Sequence, residues 1–213
     1  MSEVAAAPVP TRSANEAQVV LASASAVRLA LLQAAGVPVA IEPTAIDEAG
    51  VKASLRAAQA DAAAAAETLA ELKAQKVSRR RGGVLVLGAD QILECDGRWF
   101  DKPVDLAEAR SHLLALRGRR HELIGSVIAV RDGVRLWHRT ERAALTMRPF
   151  SDAFLDEYLA AAPSSVLRSV GAYQMEGLGA QLFARVEGDY FTILGLPLLP
   201  LLDFLRIQGI VRT

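Results

Sequence analysis

The chain has 213 residues, 52% of them hydrophobic, enough for one large domain or two closely joined lobes around a sizeable core. Lys plus Arg and Asp plus Glu each total 24, so no net field favours nucleic acid or an anionic membrane, and a phosphate site must be a local arrangement of cations. The lone Cys95 excludes an internal disulfide and any CxxC zinc or redox site, and it fits a reducing, cytoplasmic setting.

Residues 1–18 carry Glu3, Pro8, Pro10, Arg12 and Glu16 without a long apolar run, and read as a disordered N-terminal tail rather than a secretory signal. VVLASAS (19–25) reads as a strand leaving the core, and AVRLALLQAAG (26–36) as a helix closed by Gly36 with Pro38 beyond it. A second strand in VPVAIEPTAI ends at Asp47 and Glu48. The alanine-rich residues 51–77 predict a single helix of roughly 40 Å, with a narrow seam through Leu55, Ala62, Leu69 and Lys76. SRRRGG (78–83) closes it as a solvated basic loop.

VLVLGADQIL (84–93) is a nearly unbroken apolar strand with Asp90 inside it. Asp96-Gly97 signals a hairpin, and residues 105–118 predict a helix with Leu106, Ala109, Leu113 and Leu116 on one face. HELIGSVIAV and VRLWHRTERAALTM predict two strands joined through Arg131-Asp132-Gly133, and Ser151 is a natural N-cap for a helix over 151–162. The last third is glycine-dense, then strand-like, then helical. Its most apolar stretch, ILGLPLLPLLDFL, is interrupted by Pro197, Pro200 and Asp203 and is too broken to span a bilayer. Alternating strands and helices point to an α/β layer architecture, with no internal repeat and no linker between independent domains.

Several familiar motifs are missing: GxxxxGK[ST], GxGxxG after a strand, GxSxG and HExxH. His112, His121 and His138 are too scattered to form a ligand set. What remains is a series of polar residues where strands end. Ser23 and Ser25 stand at a strand-to-helix junction with Arg28 in the first helical turn, a geometry suited to anions. Asp47-Glu48 ends the second strand, Asp90 lies late in the third, and ligand sites of α/β sheets gather at such ends. FDKP then supplies Lys102 beside the conformationally fixed Pro103. An ionised carboxylate buried at Asp90 is costly unless a cation or hydrogen bonds compensate. A hard divalent cation carrying a polyphosphate would do so, and would let a carboxylate of ordinary basicity take a proton from water.

Six ordered blocks across residues 18–208 resemble one family: LASASAVRLALL, IDE, LAELKAQ, GADQILECDGRWFDKPVDLAEAR, LRGRRHELIG and GAYQMEGLGAQLFARVEGDYFTILGLPL. The chain resembles the Maf-type nucleoside triphosphate pyrophosphatases. The resemblance implies a mixed, twisted α/β sheet flanked by helices, with residues 19–213 forming one two-lobed domain around a central cleft, as in the inosine triphosphate pyrophosphatases. It implies hydrolysis of a nucleoside triphosphate to monophosphate and pyrophosphate with magnesium or manganese, a small-molecule nucleotide as partner rather than nucleic acid or membrane, and a homodimer.

Matched position by position, Asp90 corresponds to the family's catalytic proton acceptor, and Ser23, Arg28, Glu48, Lys73 and Lys102 to its polar cleft residues. In this reading Glu48 and Asp90 hold the metal, while Arg28, Lys102 and Lys73 neutralise the leaving group. Lys76 is an alternative to Lys73. Base specificity maps to Val27, Gln91 and Glu176. UTP- and dTTP-type members carry Arg, Thr and Gln there, and 7-methyl-GTP-type members Trp, Gln and Glu, so two of three positions favour the latter. A buried Glu176 would accept from guanine N1–H and its amino group, whereas Val27 offers no flat surface for stacking on a cationic base. Ala26 replaces the family's usual Pro. Rival readings are a UTP/dTTP-type enzyme, a phosphatase removing single phosphates, and a non-catalytic nucleotide-binding regulator of cell division. Retention of Asp90 and Lys102 argues against the regulator.

Overall fold

In the computed structural model, which describes residues 18–212, seven strands form one mixed sheet. Of the tail expected over residues 1–18, residues 1–17 lie outside the described residues, and the Gln18 carbonyl already accepts from the Leu85 amide. Strand β1 (Val19–Leu21) lies between β2 (Val39–Ile41) and β3 (Leu85–Cys95), parallel to both. The sheet continues antiparallel through β5 (Arg120–Arg131), β6 (Val134–Met147) and β7 (Phe183–Glu187), while β4 (Arg98–Phe100) folds back on the end of β3. Both predicted hairpins form. Asp96-Gly97 and Asp132-Gly133 each place two successive residues at positive φ, the turn whose twist matches that of its strands.

Among the described residues seven α-helices surround the sheet: α1 (Ala26–Ala34), α2 (Glu48–Ala57), α3 (Ala62–Ser78), α4 (Leu106–Leu116), α5 (Asp152–Ala161), the short α6 (Tyr190–Ile193) and α7 (Leu198–Ile207). Ser151 caps α5 as predicted, accepting from the Phe154 amide. Three expectations are corrected. The single long helix is two helices, because Gln59 adopts φ +55° and Asp61 accepts from the Ala64 amide to start α3 afresh. Glu48 opens α2 rather than ending a strand, since Asp47 caps that helix through the Gly50 amide. The buried stripe of α3 is wider than a heptad seam: Ala62, Ala65, Ala66, Leu69, Ala70, Lys73, Ala74 and Val77 face inward, and Lys76 faces out.

That stripe is mostly alanine because α3 lies directly on β3. A Cβ on Gly88 would sit 2.0 Å from the Ala70 carbonyl oxygen and 2.8 Å from the Ala74 nitrogen. Val86 and Ile92, two and four residues away along the same strand face, pack on the helix to either side. The other face of β3 presents Leu85, Leu87 and Ala89, which pack against Leu32 of α1 and Leu201, Phe204 and Leu205 of α7. Farther along, Leu93 joins a separate cluster with Leu113 of α4 and Leu155 of α5. Residues 90 and 91 sit where the strand passes between these packing environments.

The histidines play no joint role. His121 is buried beside Tyr173, 2.9 Å from its hydroxyl, and burial pushes its pKa down to about 4. His112 is also buried and its pKa lowered by burial, while His138 is exposed. Cys95 is buried at the end of β3. Among the described residues, no helix is long and apolar enough to cross a membrane.

Candidate active site

A difference in strand length creates the cleft. β1 stops at Leu21, opposite Leu87, and its last bond to β3 runs from the Ala22 amide to the Leu87 carbonyl. β3 continues for eight more residues, and β4 pairs with it only from Leu93 to Cys95, so residues 88–92 leave their β1-side edge free for side chains. Arg28 fills the first vacancy: its Nη1 donates to the Ala89 carbonyl at 2.9 Å and to Ser23 Oγ at 3.3 Å, and its Nε donates to the Gly195 carbonyl at 2.8 Å. Burial lowers the Arg28 pKa, against the opposing charges of Asp90 and Glu48. Ser25 serves as the N-cap of α1, accepting from the Arg28 amide, and its own amide donates to Ser23 Oγ. The guanidinium is therefore held by backbone carbonyls rather than by a carboxylate.

Asp90 follows on the α3 face of the strand and is 6% exposed. Its counter-charge is Lys73, whose Nζ lies 2.5 Å from Asp90 Oδ1 and 2.7 Å from Glu48 Oε1. One buried ammonium thus joins a carboxylate from the sheet to another from the start of α2. Burial would raise the Glu48 pKa, but its bond to Lys73 and the charges of Lys73, Lys52 and Lys102 outweigh this and lower it. Lys102 sits between buried Phe100 and buried Pro103, and enters the same cleft. Burial lowers its pKa, joined by repulsion from Arg28 and Lys73 and opposed by Glu48 and Asp90.

Gln91 points to the opposite face from Asp90. Its Nε2 donates to the carbonyls of Thr192 (2.9 Å) and Ile193 (3.2 Å), which leaves the amide oxygen as its remaining polar atom. The cleft, about 460 Å³, is lined by Ser23, Val27, Arg28, Glu48, Lys73, Asp90, Gln91, Lys102 and Glu176, so all nine residues singled out from the sequence converge. That volume suits a small-molecule ligand. Lys76 is not among them: it is exposed and donates to the Ala45 carbonyl. Glu176 does not have the expected burial. It stands exposed on the rim, in a loop whose next residues, Gly177 and Leu178, are also exposed.

A sequence profile of the Maf-like protein family matches residues 18–208. The chain belongs to this family. A nucleoside triphosphate pyrophosphatase of Paramagnetospirillum magneticum is 58% identical over 189 residues, covering 89% of this chain and 97% of that one. One of Granulibacter bethesdensis is 52% identical, covering 89% and 96%. A 7-methyl-GTP pyrophosphatase of Mesorhizobium japonicum is 47% identical over 194 residues, covering 91% and 98%. This member of the Maf-like family is accordingly an enzyme, a hydrolase, with the mixed sheet and flanking helices expected of it.

Two cleft residues escape a reading of the sequence: Lys52, buried on α2, and its ion-pair partner Asp101. The spacing of Glu48 and Lys52, one helical turn apart, was the available signal, and it was hidden by assigning Glu48 to a strand. With them and Arg168 this Maf-like cleft holds five cations, Arg28, Lys52, Lys73, Lys102 and Arg168, against four carboxylates, Glu48, Asp90, Asp101 and Glu176. A positive excess in a partly buried site favours a polyanion. The oxygen donors that could hold a hard cation are Glu48 and Asp90, which already converge on one positive charge at Lys73 Nζ. No group of three or more His, Cys, Asp or Glu side chains among the described residues could hold a metal alone. Two carboxylates completed by ligand phosphate oxygens is the pattern expected for magnesium.

Proposed function

We propose that the protein hydrolyses a nucleoside triphosphate to the monophosphate and pyrophosphate, by attack of water on the α-phosphorus. The observation that carries this reading is the convergence of buried Asp90 and the more exposed Glu48 on buried Lys73, within a cleft to which Arg28 and Lys102 bring positive charge. The names of the close relatives support it. Asp90 orients the water and accepts its proton as the oxygen bonds to the α-phosphorus and the bond to the α–β bridging oxygen breaks. Arg28 and Lys102 balance the charge that then collects on pyrophosphate. Such transfer depends chiefly on positioning and electrostatics. Glu48 and Asp90 would hold a divalent cation, magnesium or manganese, which when bound polarises phosphate oxygens and acidifies water.

The base preference we propose is for 7-methyl-GTP or a related guanine nucleotide. Two carbonyls claim the Gln91 nitrogen, so this side chain offers an acceptor, and Glu176 at the rim offers another. A guanine edge supplies two adjacent donors, N1–H and the amino group, whereas uracil and thymine supply one. The test is a panel of canonical and modified triphosphates with magnesium or manganese, assayed separately for pyrophosphate and orthophosphate. Pyrophosphate is the expected product, with 7-methyl-GTP or GTP preferred about tenfold or more over UTP and dTTP in kcat/KM. Orthophosphate as first product would contradict the reaction, and a UTP or dTTP preference would contradict the base assignment alone.

A further inference from the structure

The buried residue of α2 is a lysine. Lys52 Nζ is ion-paired with Asp101, and its side chain is 9% exposed while that of Asp101 is 53% exposed. Apolar residues of the same helix, Val51 and Leu55, are only partly buried against Ala62, Leu69 and Ile92. Asp101 immediately precedes Lys102 in a short segment outside any strand or helix, and both residues line the cleft. A carboxylate so placed has two harmful options: it can neutralise Lys102, or it can repel an incoming polyphosphate. Lys52 forecloses both by binding it from the α2 side. The same pair ties the helix that carries Glu48 to the segment that carries Lys102.

On the reading that the cleft takes a nucleoside triphosphate, we propose that Lys52 is a positioning residue that acts through Asp101. It holds the Asp101 carboxylate away from Lys102, so that the Lys102 ammonium remains available to the phosphates. Lys52 does not itself touch the substrate in this account. The claim has a distinctive sign: removing Lys52 is harmful only while Asp101 keeps its charge.

The experiment compares Lys52→Met, Asp101→Asn, the double variant and Lys52→Arg in the full-length chain. KM and kcat are measured on the best triphosphate, with calorimetric binding of its non-hydrolysable α,β-methylene analogue as a readout independent of turnover. Lys52→Met should raise KM and weaken analogue binding about tenfold, with kcat changed less than about threefold. Asp101→Asn alone and the double variant should both stay within about threefold of wild type, and Lys52→Arg should match it. A double variant as impaired as Lys52→Met would overturn the proposal, as would a Lys52→Met protein that loses thermal stability but keeps its KM. Should Lys52→Met fail to fold, Asp101→Asn decides by itself: KM at or below wild type supports the account, and a rise of about tenfold overturns it. A wild-type protein that binds no analogue and hydrolyses no triphosphate would overturn the functional reading, and this inference with it. Wild-type turnover with unresponsive variants would overturn this inference alone.

Discussion

Replacing Asp90 with Asn is expected to lower single-turnover hydrolysis by about 10²–10⁴-fold, the usual loss when a general base is removed. Affinity for a non-hydrolysable analogue, at saturating divalent cation, should change by less than about threefold. The substitution keeps the shape of the side chain and an oxygen facing Lys73, and Lys73 retains Glu48 at 2.7 Å. No buried charge is therefore orphaned, and the stability cost should fall well short of the roughly 3–5 kcal/mol seen when a buried pair loses one partner outright. Binding without turnover would locate the loss at the chemical step. Wild-type turnover in Asp90→Asn would show that the base is elsewhere.

The second large effect is expected from a change that is purely steric. Gly88→Ala places a methyl group 2.0 Å from the Ala70 carbonyl oxygen and 2.9 Å from the Ala74 methyl, so α3 must lift from β3. Backbone atoms cannot turn aside as a flexible side chain would, and a loss of about 3 kcal/mol or more is expected from denaturant unfolding. Function should fall as well, because Lys73 lies on α3 between the two displaced residues and its bond to Asp90 is only 2.5 Å long. Gly177→Ala is the contrasting control. Nothing lies within 4 Å of its added methyl, and a change within about 0.5 kcal/mol is expected. Equal stability of Gly88→Ala and wild type would mean that helix and strand are not in the contact described.

These two residues also show how far the sequence can be read. Asp90 was legible because a single acid inside VLVLGADQIL has no place in an apolar strand without a partner, and the partner had to be sought at strand ends. Ser23, Arg28 and Lys102 followed from the same logic. Gly88, two residues upstream, was silent, since its necessity depends on a helix that arrives from earlier in the chain. The break between α2 and α3 was hidden for a local reason: alanine propensity runs through it, and Gln59 takes a left-handed conformation that Gly or Asn would have advertised. Once that break is known, Asp61 reads as an ordinary N-cap. The Lys52–Asp101 pair is a long-range contact that no local pattern specifies, and the exposure of Glu176 depends on the course of an irregular loop.

The position of attack is the most direct test of the account. Hydrolysis in water enriched with heavy oxygen, followed by mass analysis of both products, reports which phosphorus received the solvent oxygen. If Asp90 directs water to the α-phosphorus, the label appears in the nucleoside monophosphate and pyrophosphate stays unlabelled. Label in pyrophosphate would place the attack on the β-phosphorus and contradict the roles assigned to Asp90, Arg28 and Lys102.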